Sequence, residues 1–181
     1  MRMLLFIVGG IVAVIILLVV VMVVIGSRME PNHVASRAIS LRRTPADVYA
    51  AIHGFEASPA WRSDVKKVEM LSPAEGRVRF REEGSNGTVT YEVVEDVPSQ
   101  RLVTRIVEVD LGYSGSWVYV LTPTSNGARL SITEHGVVSN PMFRFMSKHI
   151  FGHTTTIDTY LKSLAKHFGE SAVPEDSPPN N

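Results

Sequence analysis

The chain has 181 residues, 45% of them hydrophobic and 20% charged, enough for one globular domain with its own core. Lys and Arg total 18 and Asp and Glu total 18, so no basic field points to nucleic acid, and none is expected as a partner. There is no cysteine, which excludes disulfides, thiolate metal sites and a cysteine nucleophile.

The first element is apolar throughout. Residues 4–25, LLFIVGGIVAVIILLVVVMVVI, carry no charged or polar side chain. As a helix they span roughly 33 Å, against a hydrocarbon core of about 30 Å. Their Leu, Ile, Val and Phe residues together favour insertion by on the order of 5–11 kcal/mol. A cleaved signal peptide would have an apolar region of about 7–15 residues before a small-x-small site. This run is longer, and Ile25-Gly26-Ser27 makes a poor cleavage site, so an uncleaved single-pass anchor over residues 1–27 is expected. Orientation stays open. Arg2 opposes Arg28, Arg37, Arg42 and Arg43, but three of those four belong to the domain that follows.

After a polar link at 28–33 the domain is expected over 34–169. Residues 34–41 alternate as a strand. Thr44-Pro45-Ala46-Asp47 is a helix start, with Thr44 as N-cap, Pro45 in the first turn and Asp47 closing a capping box. The helix should end at Gly54, and a short second helix or turn follows around SPAWRSD. Strands are predicted at 65–71, 76–83, 88–95, 101–110, 114–122 and 128–138, separated by the turn sequences SPAEG, GSNG, DVPSQ, LGYSG and PTSNG. In RVRFRE the arginines 77, 79 and 81 face out, while Val78, Phe80 and Glu82 face in. Asn140-Pro141 opens a long amphipathic helix on which Phe143, Met146, Ile150, His153, Ile157, Leu161, Leu164 and Phe168 share a face, with Gly152 a weak point. The tail 170–181 lacks apolar periodicity and is expected to be disordered.

This order resembles the helix-grip (SRPBCC) superfamily of START-like lipid-binding domains, birch-pollen-allergen-like proteins and polyketide cyclase/dehydrase-like proteins. The residues that carry the likeness are ISLRRTPADVYAAI, SPAW with Trp61, EDVPSQRL, SWVYVLTPTSNGARLSITEHG, NPMFRF and TIDTYLKSLAKHFGE. The resemblance implies an α+β fold, with a curved antiparallel sheet of about seven strands wrapped around a long C-terminal helix and two short helices after the first strand. It also implies a cavity for hydrophobic small molecules, without fixing one reaction. The chain departs from the pattern at His53-Gly54-Phe55, where an acidic residue often follows the first helix. The transmembrane helix is an addition.

Within such a cavity the candidate lining residues are Glu82, Arg105, Trp117, Tyr119, Glu134, His153 and Ile157. Glu134 follows Leu130 and Ile132 on one face of its strand, so it needs a partner or a wet cavity mouth. An inward Arg105 paired with Glu82 or Glu134 would give a ligand head group a polar handle. The plainer alternative makes both glutamates strand ends in water or structural pairs. His149 and His153 are four apart on a helix, but with no third ligand no metal is expected, and without a nucleotide fingerprint no cofactor is expected. LGYSGS is a hairpin turn with the wrong glycine spacing for a nucleophile elbow. The leading functional reading is a membrane-anchored module that binds or transports a hydrophobic small molecule, such as a lipid, quinone or polyketide-like compound, with residues 4–25 in the bilayer. The alternatives are a cyclase/dehydratase-type enzyme using Glu134 or His153 as general acid or base, and an accessory domain for a protein partner. Oligomeric state leaves no mark in the sequence.

Overall fold

The computed structural model describes residues 2–85, 87–108 and 111–181. The turn expected at 84–87 and the end of the strand expected at 101–110 fall partly outside these.

Helix α1 (Arg2–Ser27) precedes the domain. Strand β1 (Asn32–Leu41) leads into α2 (Pro45–His53), whose start has the expected chemistry. Thr44 Oγ1 accepts from the Asp47 amide, and Asp47 Oδ2 accepts from the Thr44 amide, each at 3.2 Å. These two bonds satisfy donors that the first helical turn leaves free. A 3₁₀ turn (Phe55–Ala60) follows.

Six strands then run as consecutive hairpins: β2 (Val65–Ala74), β3 (Arg77–Gly84), β4 (Gly87–Val97), β5 (Arg101–Ile106), β6 (Tyr113–Thr124) and β7 (Gly127–Val138). The sheet order is β2-β3-β4-β5-β6-β7-β1-β8, where β8 is the short strand Glu175–Asp176, and the pairings are antiparallel. The crossover returns β1 beside β7, with Ile39 opposite Leu130 and Arg37 opposite Ile132. One face of this sheet meets the C-terminal helix. Ile39, Leu130 and Ile132 from the sheet and Ile157, Leu161 and Leu164 from the helix are all fully buried there.

The C-terminal helical arm is in two parts. Helix α3 (Pro141–Met146) is capped by Asn140, whose Oδ1 accepts from the Met142 and Phe143 amides. It runs into a π-helical turn (Ser147–Phe151) and stops at Gly152, which adopts φ 77° and ψ 149°. That conformation costs a side-chain-bearing residue energy that glycine does not incur. Helix α4 (Thr155–His167) then resumes and covers the core.

The tail is where expectation and structure part. Residues 170–181, expected to be disordered, wrap around the β1 edge and cross the opposite face of the sheet. Glu175–Asp176 forms β8 against β1. The Arg37 guanidinium ties together Asp158 of α4, Asp176 and the Pro174 carbonyl. The Asn180 amide donates to Thr133 Oγ1 at 2.8 Å, its side-chain amide donates to Ser131 Oγ, and Arg101 donates to the Asn181 carbonyl. The segment lacks apolar periodicity because it is held by hydrogen bonds to an edge and a polar row, not by a buried stripe. Replacing Arg37 with alanine is expected to cost about 1–3 kcal/mol, the range for hydrogen bonds to a charged group. It should also speed amide exchange at Asn180. Unchanged exchange at Asn180 would show that the strap holds without Arg37.

Candidate functional site

The inward row of the sheet is set by its register. Glu82 pairs with Val89, Phe80 with Tyr91, Thr104 with Trp117, and Trp117 with Glu134. These residues face α4 and the 3₁₀ turn. Residues one place along face away.

Two polar clusters lie on this concave side. The deeper one centres on Arg62, which follows the 3₁₀ turn. Its Nη1 donates to Glu82 Oε1 at 2.6 Å, and its Nη2 and Nε donate to Asp64 at 2.7 and 3.3 Å. The guanidinium also lies 5.1 Å from the centre of the Tyr160 ring. The side chains of Arg62 and Glu82 are each only 12% exposed. Burial opposes the Arg62 charge, but the hydrogen bond to Asp64 and the two carboxylates hold it above the ordinary arginine range. Burial lifts the Glu82 carboxyl above its usual 4.5, and Arg62 only partly offsets this.

Aromatic rings surround this cluster. Tyr160 meets Trp61 edge-on at 5.3 Å and Trp117 edge-on at 5.7 Å. Its ring also lies against that of Tyr119, with centres 5.8 Å apart. Burial pushes the phenols of Tyr91, Tyr119 and Tyr160 well up, so all three are neutral hydrogen-bonding groups at physiological pH. Tyr119 and Tyr160 are buried, whereas Trp61, Tyr91, Trp117 and Val68 pack on the core with part of their surface open. The concave face is therefore not sealed around the charged cluster. The recess of about 550 Å³ lined by Arg105 to Glu108 and Ser114 to Ser116 is elsewhere, at the ends of β5 and β6.

The second cluster lies at the rim. His33 Nε2 is 3.3 Å from Glu134 Oε1, and the His33 ring stacks on that of His153 with centres 4.2 Å apart. Their burial is partial, with side-chain exposures of 15% for His33 and 23% for Glu134. Burial first, and then the neighbouring His33, depresses the His153 pKa against the pull of Glu134. His153 follows Gly152, in the gap between the π-helical turn and α4. The break separates it from His149, which contacts the Phe145 ring at 4.8 Å instead. Among the described residues, no group of three His, Cys, Asp or Glu could hold a metal.

Beside this rim the N-terminal helix is joined to the domain. Arg144 on α3 donates to four carbonyls: Gly26 and Met29 at the end of α1, and Val138 and Ser139 at the end of β7. A guanidinium at a helix C-terminus also complements the helix dipole. Gly26 is buried against α3, where a Cβ would run into the Pro141 carbonyl. Only glycine permits that approach.

The sequence-based candidates divide accordingly. Glu82, Trp117, Tyr119, Glu134, His153 and Ile157 all lie on the concave side, Ile157 fully buried in the core. Arg105 does not. It shares its row with Glu92 and Ser116 on the convex face, donates to Glu92 at 3.0 Å, and is half exposed. The partner of Glu82 is Arg62, and that of Glu134 is His33. The sequence reading missed both, along with Asp64, Tyr91 and Tyr160. Tyr160 did carry a signal, since it lies three residues after Ile157 and four before Leu164 on one helical face.

The profile of the family described as polyketide cyclase / dehydrase and lipid transport matches residues 32–169. The chain belongs to this family. Its members' START-like helix-grip fold recurs in solved structures at low identity. A START superfamily protein from Mycobacterium smegmatis has a TM-score of 0.61 at 16% identity, over 75% of this chain and 96% of that one. The Zhui aromatase/cyclase from Streptomyces sp. R1128 has 0.64 at 13%, over 75% and 93%. Norcoclaurine synthase from Thalictrum flavum has 0.60 at 11%, over 77% and 87%. No curated protein matches the sequence. At these identities the likeness is one of fold. In this chain of the polyketide cyclase / dehydrase and lipid transport family, Arg62→Ala leaves two buried carboxylates without their cation, which should cost about 3–5 kcal/mol. Because the folded state raises the Glu82 pKa, it binds that proton more tightly than the unfolded chain does. The contribution of Glu82 to stability is therefore full below pH 4.5 and declines as pH rises through the folded pKa. In Glu82→Gln, denaturant midpoints should lose this part of their pH dependence; an unaltered profile would place the titration elsewhere.

Proposed function

We propose that the protein is a single-pass membrane protein whose domain holds a hydrophobic small molecule, of the lipid, quinone or polyketide-like kind, on its concave face. The observation that carries this reading is the set of partly exposed rings, Trp61, Tyr91 and Trp117, around the Arg62–Glu82–Asp64 cluster. Here they offer an apolar wall beside polar groups, the combination that fixes an apolar ligand's orientation.

The division of labour follows from the chemistry of each group. Rings and aliphatic side chains take the ligand body, contributing about 0.8 kcal/mol for each methylene removed from water. The Tyr119 and Tyr160 hydroxyls and the outer lone pairs of Glu82 and Asp64 meet its polar end. Arg62 is already engaged by both carboxylates and holds them in place.

Helix α1 is long and apolar enough to cross a membrane. Its integration into the domain through Arg144 and Gly26 favours an anchor that stays with the chain over a segment that is removed. A tether so short keeps the concave face at high effective concentration near membrane-resident ligands.

The protein supplies its own probe, because its two tryptophans are Trp61 and Trp117. Titrating a long-chain quinone into the full chain in nanodiscs should quench their emission saturably. Tyr160→Phe should weaken the apparent affinity two- to tenfold, the equivalent of one hydrogen bond. Emission that does not respond, or that falls linearly without saturation in both proteins, would overturn the binding reading.

A further inference from the structure

Helix α3 and the π-helical turn after it are built differently from the rest of the domain. None of the α3 residues is buried. Phe143 is 43% exposed and Ile150 is 59% exposed. Phe143 is on α3 and Ile150 on the π-helical turn that continues it. Arg28 and Lys148 are exposed in the same region.

The position of α3 relative to α1 gives this surface a meaning. Pro141 abuts Gly26, and Arg144 grips the carbonyls of Gly26 and Met29, so α3 is fixed at the level of residues 26–29. If residues 4–25 cross the hydrocarbon core, residues 26–29 come out at the headgroup layer. Helix α3 must then lie at the same depth. Exposed apolar side chains near basic residues suit that layer, where rings and aliphatic chains insert and cations meet lipid phosphates.

We propose that α3 and the π-helical turn form an interfacial lip that rests in the headgroup layer of the bilayer, with Phe143 and Ile150 inserted. The lip is a second membrane contact, separate from the span, and it rests on the reading of α1 as a span. It is continuous with α1 through Arg144, and it ends at Gly152, next to the His33–Glu134–His153 rim of the concave face. The rim is thereby held against the lipid surface and does not swing free on a flexible link.

The absence of cysteine makes the test direct. Single variants Phe143→Cys, Ile150→Cys, Leu17→Cys and Glu83→Cys of the full chain are labelled with nitrobenzoxadiazole. They are reconstituted in phosphatidylcholine–phosphatidylglycerol vesicles carrying nitroxide lipids. Glu83 is on the exposed outer row of β3 and serves as the aqueous reference. Positions 143 and 150 should be quenched at least twofold more than position 83 by headgroup-level nitroxide, and position 17 most strongly by mid-chain nitroxide. If position 17 is quenched while 143 and 150 match 83, the lip is wrong and the span stands. If all four labels report water, span and lip fall together.

Discussion

The structure follows from a mismatch between one short helix and a wide sheet. Helix α4 has 13 residues, so it is roughly 20 Å long, while the seven full strands spread over roughly 29 Å. One helix cannot cover that face. Its apolar stripe seals the side formed by β1, β7 and β6, where Ile157, Leu161 and Leu164 meet Ile39, Leu130 and Ile132. Toward β3 and β4 the cover passes to the 3₁₀ turn and its neighbours. Phe55 stacks on Phe80 with ring centres 4.0 Å apart, and Trp61 reaches Tyr160. What neither covers stays partly open, and that remainder is the proposed ligand face.

The Arg62 cluster belongs to this remainder. Ion pairs in an interior tend to be replaceable by apolar groups of similar shape with little loss of stability. Stability alone is thus a poor explanation for two carboxylates around one cation within an aromatic wall. A ligand that needs a polar end fixed gives the cluster a purpose. The break at Gly152 fits the same picture. By ending the π-helical turn before α4 begins, it lets α3 turn toward α1 while α4 stays on the core, so the part of the arm at the rim is distinct from the part that stabilises the fold.

Much of the architecture could be read from residues whose chemistry is local. The TPAD capping box, the hairpin turns and the outward arginines of β3 each depend on near neighbours, and so does Asn140 as a cap. Sidedness failed at Arg105 because β5 carries apolar residues in both phases. Leu102 faces in, yet Val103 is buried on the convex face. Val103 continues the row of Val118, Thr133 and Ser36, and the tail bonds to Thr133 and Ser36. Alternation cannot reveal a strap that arrives from far along the chain. Arg62 was illegible for a related reason, since its partner Glu82 comes from the far end of a hairpin, 20 residues on. The inward placement of Glu134 was legible from its row, but its pairing with His33, 101 residues away, was not.

Whether the concave face holds one apolar molecule can be tested by native mass spectrometry without a labelled ligand. The full chain is loaded with a long-chain quinone or phospholipid in nanodiscs and ejected under energies that strip loosely attached lipid. A single adduct should be retained, with its stoichiometry staying at one as ligand is raised in excess, and Trp117→Glu should abolish it while the protein stays folded. A protein that emerges without an adduct, or with a ladder of adducts that Trp117→Glu leaves unchanged, would contradict such binding.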